Sequence, residues 1–204
     1  RVLRFAAVLG RGFDWSLLPS ALALTELEVM DALRAGVTAQ LLVVEGDAGF
    51  RFRHSLTRDA VLGDLFPGEL GAASRRLLEV VDAAHPGLPG SWAEVAAGLA
   101  ERSDQPERSA TLLLELGRRS LSAGALSSAE QILDRARAMT SDAATQADID
   151  EVALEVLALA GRTDQAILVG SRVAANLQAL DAAPGRRTRA HLGVARAGVT
   201  ACDW

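Results

Sequence analysis

The run Leu41-Leu42-Val43-Val44-Glu45-Gly46-Asp47-Ala48-Gly49-Phe50-Arg51-Phe52-Arg53 decides how the chain is read. Residues 41–44 are aliphatic and β-prone, residues 45–49 carry the Gly and Asp of a turn, and residues 50–53 alternate apolar with charged side chains. Strict alternation is the mark of a half-buried strand, so a β-hairpin is predicted here. The flanking segments follow a helical period instead.

Upstream, the sequence predicts three helices. Residues 2–9 form a short apolar helix ending near Gly10. Asp14 caps a second helix through Trp15, Leu17, Leu18 and Leu22, with Pro19 tolerated in its first turns. Thr25-Glu26-Leu27-Glu28 is a capping box, a hydroxyl followed three residues later by a carboxylate. It opens a third helix with Leu27, Met30 and Leu33 on one face, ending near Gly36. Three helices and a hairpin are the parts of a winged helix, assigned to residues 1–85. Ser55 is expected to cap a further helix through Leu56, Ala60 and Leu65, stopping at Pro67-Gly68.

Beyond Pro86 nothing reads as strand. Ser91-Trp92-Ala93-Glu94 and Ser127-Ser128-Ala129-Glu130 read as two more capping boxes. Helical stripes run through Ala110, Leu113, Leu114, Gly117 and Leu121, and through Ala129, Ile132, Leu133 and Ala136. Ile149, Val152, Ala153, Val156 and Ala160 repeat the spacing, and Ala166, Val169, Val173 and Leu177 continue it. These read as paired helices joined at Gly124 and Gly161. Ala123-Gly124 before Ala129 recurs 37 residues on as Ala160-Gly161 before Ala166, close to the ~34-residue period of tetratricopeptide repeats. Leu116, Gly117, Gly124, Ala129, Leu133 and Ala136 fit the small or apolar positions of such a repeat; in the second unit Leu154 replaces the first-helix glycine. The expected fold is thus mainly α. A winged-helix domain with a small β-hairpin (1–85) precedes an α-helical tetratricopeptide-like repeat array (86–204).

Composition narrows the function classes. With 204 residues, 50% hydrophobic and 23% charged, the chain can bury a core and is no disordered tail. Charges interrupt every apolar run before the ~18 residues of a membrane span, and no basic and apolar leader opens the chain. Cys202 stands alone, without an intramolecular disulfide partner. These features read as a cytoplasmic protein. All 21 cationic residues are Arg, and Ala and Leu dominate, favouring helix. A net charge of -5 argues against a nucleic-acid surface. Residues 25–36, at the recognition-helix position, carry Glu26, Glu28 and Asp31 against Arg34, so no direct nucleic-acid contact is expected. The chain opens at Arg1 and stops at Trp204 after an uncapped helical pattern, which reads as an excerpt of a larger protein.

No catalytic or metal site is expected. His54, His85 and His191 lack a His or Cys at ligand spacing, and a chain without Lys has no G-x-x-x-x-G-K-[ST] loop. The densest polar cluster is Phe50-Arg51-Phe52-Arg53-His54-Ser55-Leu56-Thr57-Arg58-Asp59. His54 precedes a helix N-terminus, where free N–H groups and the dipole favour an anion. Arg53 and Arg58 would complete a phosphate-sized site around it. The alternative is structural: His54 packs under the hairpin and the arginines pair with Asp59 or Asp64.

Two blocks carry a family resemblance: Ala6-Ala7-Val8-Leu9-Gly10-Arg11-Gly12-Phe13, and Phe50-Arg51-Phe52-Arg53-His54-Ser55-Leu56-Thr57-Arg58-Asp59-Ala60-Val61. Together they resemble the ATP-binding LuxR-family (MalT-like) transcriptional regulators of the STAND ATPase class; related modules occur beside some adenylate cyclases. The resemblance implies an order of nucleotide-binding domain, winged helix, tetratricopeptide-type repeats and LuxR-type helix-turn-helix, of which this chain would span the middle two. It implies no cofactor in this segment, with ADP or ATP held by the parent protein. In STAND proteins a histidine after the wing contacts ADP and holds the resting state within a Met-His-Asp motif. His54 matches that histidine, while Arg53 stands for the Met and Ser55 for the Asp. The implied partners are the nucleotide-binding domain of the same chain and an inducer or partner protein on the repeats, with homo-oligomers on activation. The alternatives are a tetratricopeptide-like scaffold without nucleotide sensing and the sensor module of an adenylate cyclase-type protein.

Overall fold

Thr25 and Glu28 fix the start of the longest of the first three helices. Glu28 N donates to Thr25 Oγ1 at 3.3 Å, and Thr25 N donates to Glu28 Oε2 at 2.8 Å, so two otherwise orphaned N–H groups are satisfied. A computed structural model describes this and the rest of residues 1–46 and 49–181, with residue 195 beyond them. Asp47 and Ala48 of the expected turn, and the end of segment 86–204 with His191 and Cys202, lie outside the described residues. The chain divides into two compact units, Arg1–Gln105 and Pro106–Trp204. Among the described residues it is mainly helical, with one three-stranded antiparallel sheet, and no helix is long and apolar enough to cross a membrane.

The first unit runs α1 (Val2–Leu9), β1 (Gly12–Asp14), a 3-10 turn (Trp15–Leu17), α2 (Leu18–Leu22), α3 (Glu26–Thr38), β2 (Leu42–Glu45), β3 (Gly49–Phe52), α4 (Ser55–Gly63), α5 (Pro67–Ala84) and α6 (Trp92–Arg102). The three expected helices are present. Asp14 accepts from Ser16 N at 2.9 Å, so it caps the 3-10 turn, and α2 follows with Pro19 in its first turn. The face of α3 differs from the reading Leu27, Met30 and Leu33. Val29, Leu33 and Gly36 are buried, and Leu27 is 67% exposed. The reason is Leu42: its Cδ1 lies 3.0 Å from where a Gly36 Cβ would be, so the glycine side of α3 is the one that lets β2 close.

In the sheet, β3 lies between β1 and β2, with Phe13 opposite Phe50 and Leu42 opposite Phe52. The hairpin was legible, whereas β1 was not, since three residues are too few to show alternation. Phe13 stacks on Phe50 at 6.2 Å and meets Phe52 at 5.9 Å between ring centroids. Phe52 is fully buried, worth roughly 2–3 kcal/mol of transfer free energy.

Four helix starts depart from the sequence reading. No side chain caps α4; its N-cap residue is His54, and Ser55 is already helical. Pro67-Gly68, read as a stop, is the first turn of α5, because proline is preorganised for that position and lacks only an N–H that is orphaned anyway. Glu69 accepts from Phe66 N at 2.9 Å and secures that start. Ser91 has φ -75° and ψ -8°, not the extended backbone of a capping residue, and makes no side-chain cap. Likewise α8 begins before Ser127, with Ala125 as N-cap, so that box does not form. Helix α6 buries Ala93, Ala96, Ala97, Leu99 and Ala100 and packs on α5, so it belongs with the first unit although it lies beyond residue 85.

The second unit contains α7 (Pro106–Ser122), α8 (Leu126–Met139), α9 (Ala143–Leu159) and α10 (Thr163–Ala179). Helix α7 packs on α8, and α9 on α10. The joints are Gly124 at φ +73° and Gly161 at φ +69°, a left-handed conformation that glycine adopts without steric cost. The foreseen stripes supply the core: Ala110, Leu113, Leu114, Ala129, Leu133, Ala136, Ile149, Val156, Ala166, Val173 and Leu177 are buried. Ala160, placed on the same stripe, is exposed at the end of α9. The two helical hairpins exchange a small and a large residue. The first has Gly117 and Leu133; 37 residues on, the second has Leu154 and Gly170, and all four are buried.

Candidate functional site

The buried Phe52 ends β3 two residues before His54, which sets His54 at the entrance of α4. Its φ of -126° and ψ of 143° are those of a capping residue, and its carbonyl accepts from Thr57 N at 3.2 Å and Arg58 N at 3.4 Å. The imidazole is exposed, not packed beneath the hairpin. With no side-chain cap, the N–H groups of Ser55 and Leu56 at the start of α4 are left to solvent or a ligand.

The two arginines singled out beside it turn to different backbone carbonyls. Arg53, exposed, donates from Nε to Gln40 O at 3.1 Å. Arg58 donates from Nε to Ala7 O at 2.9 Å and stands 3.6 Å from the Asp59 carboxylate. Asp64 pairs with Arg4 at 2.5 Å instead. Of His54, Arg53 and Arg58, only the exposed His54 has a side chain uncommitted to a carbonyl.

Arg58 has a structural companion that sequence reasoning missed. Arg102 donates from Nη2 to Val8 O at 3.1 Å, so two guanidiniums from distant segments satisfy successive carbonyls in the last turn of α1. Positive charge there also complements the negative end of the helix dipole. Burial pushes the Arg102 guanidinium below its ordinary value, and the like charge of Arg58 adds to the effect. Nothing in the local sequence signals this pairing, because the partners lie far apart in the chain.

Elsewhere in the first unit, a cleft of about 360 Å³ lies among Phe13, Phe50, Trp92 and Val95, with Asp14 and Glu45 at its edge. Trp92 stacks on His85 at 3.9 Å between centroids, and Glu45 is paired with Arg51 at 3.3 Å. Neither His54 nor its neighbouring arginines line this cleft.

The second unit holds a charged cluster unread from the sequence. Asp150 on α9 is 1% exposed, yet it is ionic on two sides. Arg172 on α10 makes a bidentate pair with it, Nε to Oδ2 at 2.9 Å and Nη2 to Oδ1 at 3.0 Å. Arg137 on α8 brings Nη1 within 2.6 Å of Oδ1, off hydrogen-bond alignment. Both guanidiniums line a groove of about 300 Å³ formed by α8, α9 and α10. A polar residue beside the Ile149 and Val152 stripe was the one available signal, and on its own it reads as a solvated position.

Among the described residues, no group of three His, Cys, Asp or Glu side chains is placed to hold a metal ion. Compared with protein-family models, curated proteins and solved structures, the chain matches none of them.

Proposed function

We propose that the chain is the regulatory segment of a STAND-type transcription activator. In this reading the first unit acts as a winged helix that clamps a nucleotide-binding domain of the same protein in its ADP-bound resting state. The helical hairpins act as tetratricopeptide-like repeats that bind an inducer or partner protein. Inducer binding favours the open, ATP-bound, oligomerising state, which requires a higher affinity for that state than for the resting one. The segment itself performs no catalysis.

One observation carries the reading: an exposed imidazole at the uncapped entrance of α4. A histidine that meets a phosphate presented by another domain must be accessible and close to free N–H donors, and His54 meets both conditions. The test is ADP release from the full-length protein that carries this segment, wild type against His54→Ala, with nucleotide quantified after purification. Faster release by a folded variant supports the clamp. Unchanged retention and activation remove His54 from the mechanism.

A second reading, a scaffold without nucleotide sensing, draws on α10, where Leu168 is 70% and Ile167 43% exposed. Under it the hairpins alone are functional, and His54→Ala is silent in every assay.

A further inference from the structure

We infer that the groove between α8, α9 and α10 is a binding site for a small amphipathic carboxylate, an anionic head on an apolar body. The inference deepens the inducer role proposed for the helical unit by naming a ligand class and a place. The volume of about 300 Å³ falls at the lower end of the range for small-molecule sites. Its walls are apolar where Val156, Leu157, Leu168 and Val169 line it. One side carries two guanidiniums over one buried carboxylate, with Glu130 and Asp134 also in the lining.

The guanidinium donors that Asp150 leaves unspent carry the inference. Asp150 is sealed from solvent at 1% exposure, whereas the Arg137 and Arg172 side chains remain 30% and 44% exposed. The carboxylate therefore anchors the arginines from beneath, as an outer-shell ligand orients an inner one. It accepts three contacts, which leaves most of the ten N–H donors of two guanidiniums unspent. A guanidinium held by one carboxylate is preorganised to receive a second in the same planar, bidentate manner. An apolar tail on that second carboxylate would cover Leu168, which is 70% exposed.

The other acids of the groove set limits. Glu130 is taken up by Arg162 at 2.5 Å. Asp134 lines the groove on α8, one turn before Arg137, and repels an anion there. The incoming head group is therefore assigned to Arg172, on α10.

The test uses the 204-residue chain and titrates it with sodium octanoate by calorimetry, with 1-octanol and octylamine as tail-matched controls. Saturable octanoate binding is expected, with both controls weaker by about tenfold or more, the equivalent of one charge-assisted contact. Arg172→Gln should lower octanoate affinity by a similar factor. Leu168→Glu alters an exposed position that leaves the core intact and places a negative charge at the mouth, so it should weaken octanoate and spare octylamine. Absence of saturable octanoate binding overturns the assignment. So does octanol binding as tightly as octanoate, or an affinity unchanged in both variants. No nucleotide enters this assay, so its failure leaves the ADP-release experiment untouched, and the reverse also holds.

Discussion

A Cβ on Gly117 would stand 2.6 Å from Leu133 Cδ2 and 2.9 Å from its Cγ, closer than side-chain carbons approach. Leu133 is itself buried, so making room would mean shifting its side chain within the helix–helix contact. The absence of a side chain at position 117 is what allows α7 and α8 to meet at this point. Gly117→Ala should destabilise the protein by about 1–2 kcal/mol, the overpacking penalty less the helix-propensity gain. Gly63→Ala is the contrast, because its added Cβ meets nothing within 4 Å, and it should be neutral or slightly stabilising. Urea unfolding of both variants decides the matter, and equal stabilities would remove the close approach from the account.

The buried carboxylate of Asp150 ties α9 to α8 and α10. Asp150→Asn leaves two guanidiniums without their counter-charge, and a loss of about 2–3 kcal/mol is expected, below the full figure for a buried pair because both arginines reach solvent. Arg172→Gln should cost less than Asp150→Asn, since Arg137 still neutralises the carboxylate. Denaturant midpoints of the two variants give the order, and a reversal would mean that the arginine stem, not the ion pair, stabilises the helices.

Arg58 and Arg102 should behave as structural residues and His54 as a surface residue. Arg102→Met orphans the Val8 carbonyl and should lower stability by about 2 kcal/mol. Arg58→Met orphans Ala7 O but also relieves like-charge repulsion on Arg102, so about 1 kcal/mol is expected. His54→Ala should stay within about 0.5 kcal/mol of wild type. Thermal melts of the three variants check the ranking. A large loss for His54→Ala would show that its imidazole packs rather than waits.

Two helix starts predict an acid limb of stability. Glu28 is held below its ordinary 4.5 by hydrogen bonds from the Thr25 backbone and then its side chain, and Asp142 below 3.8 by the same two kinds of bond from Thr145. A depressed folded value means that the stabilisation is complete above the unfolded value and disappears as pH falls through the folded one. Stability contributed by these caps should therefore be flat above about pH 4.5 and fall on further acidification. Thr25→Val removes the side-chain bond and keeps the larger backbone one, so the Glu28 titration followed by NMR should move part of the way back toward 4.5. No movement would place the cause entirely in the backbone bond.

What could be read from the sequence was what neighbouring residues settle among themselves. The box at Thr25 and the turns at Gly124 and Gly161 need nothing beyond a few adjacent positions, and they were read in place. Ser91 and Ser127 carry the same local pattern as Thr25, yet neither caps: Ser91 holds the N-cap position with a helical backbone, and α8 has already started at Leu126. The buried face of α3 was decided by Leu42 closing on Gly36, a contact between elements that periodicity alone does not rank. Helix α5 was missed because Pro67 permits two meanings, an end or a first turn. The position of His54 followed from the order of hairpin and helix. The commitment of Arg58 to Ala7 and the gathering of Arg137, Asp150 and Arg172 arise only when distant segments meet.

The exchange of glycine and leucine between the hairpins has a consequence for how their sequences compare. Laid over each other, the two units disagree at both positions, Gly against Leu at 117 and 154, then Leu against Gly at 133 and 170. Scored column by column, this counts as divergence twice over. Summed over the two positions, each hairpin carries one glycine and one leucine, so what is held constant is the side-chain volume of the pair and not of either column. A comparison of the two hairpins should score such columns in pairs, because either column alone registers only a difference.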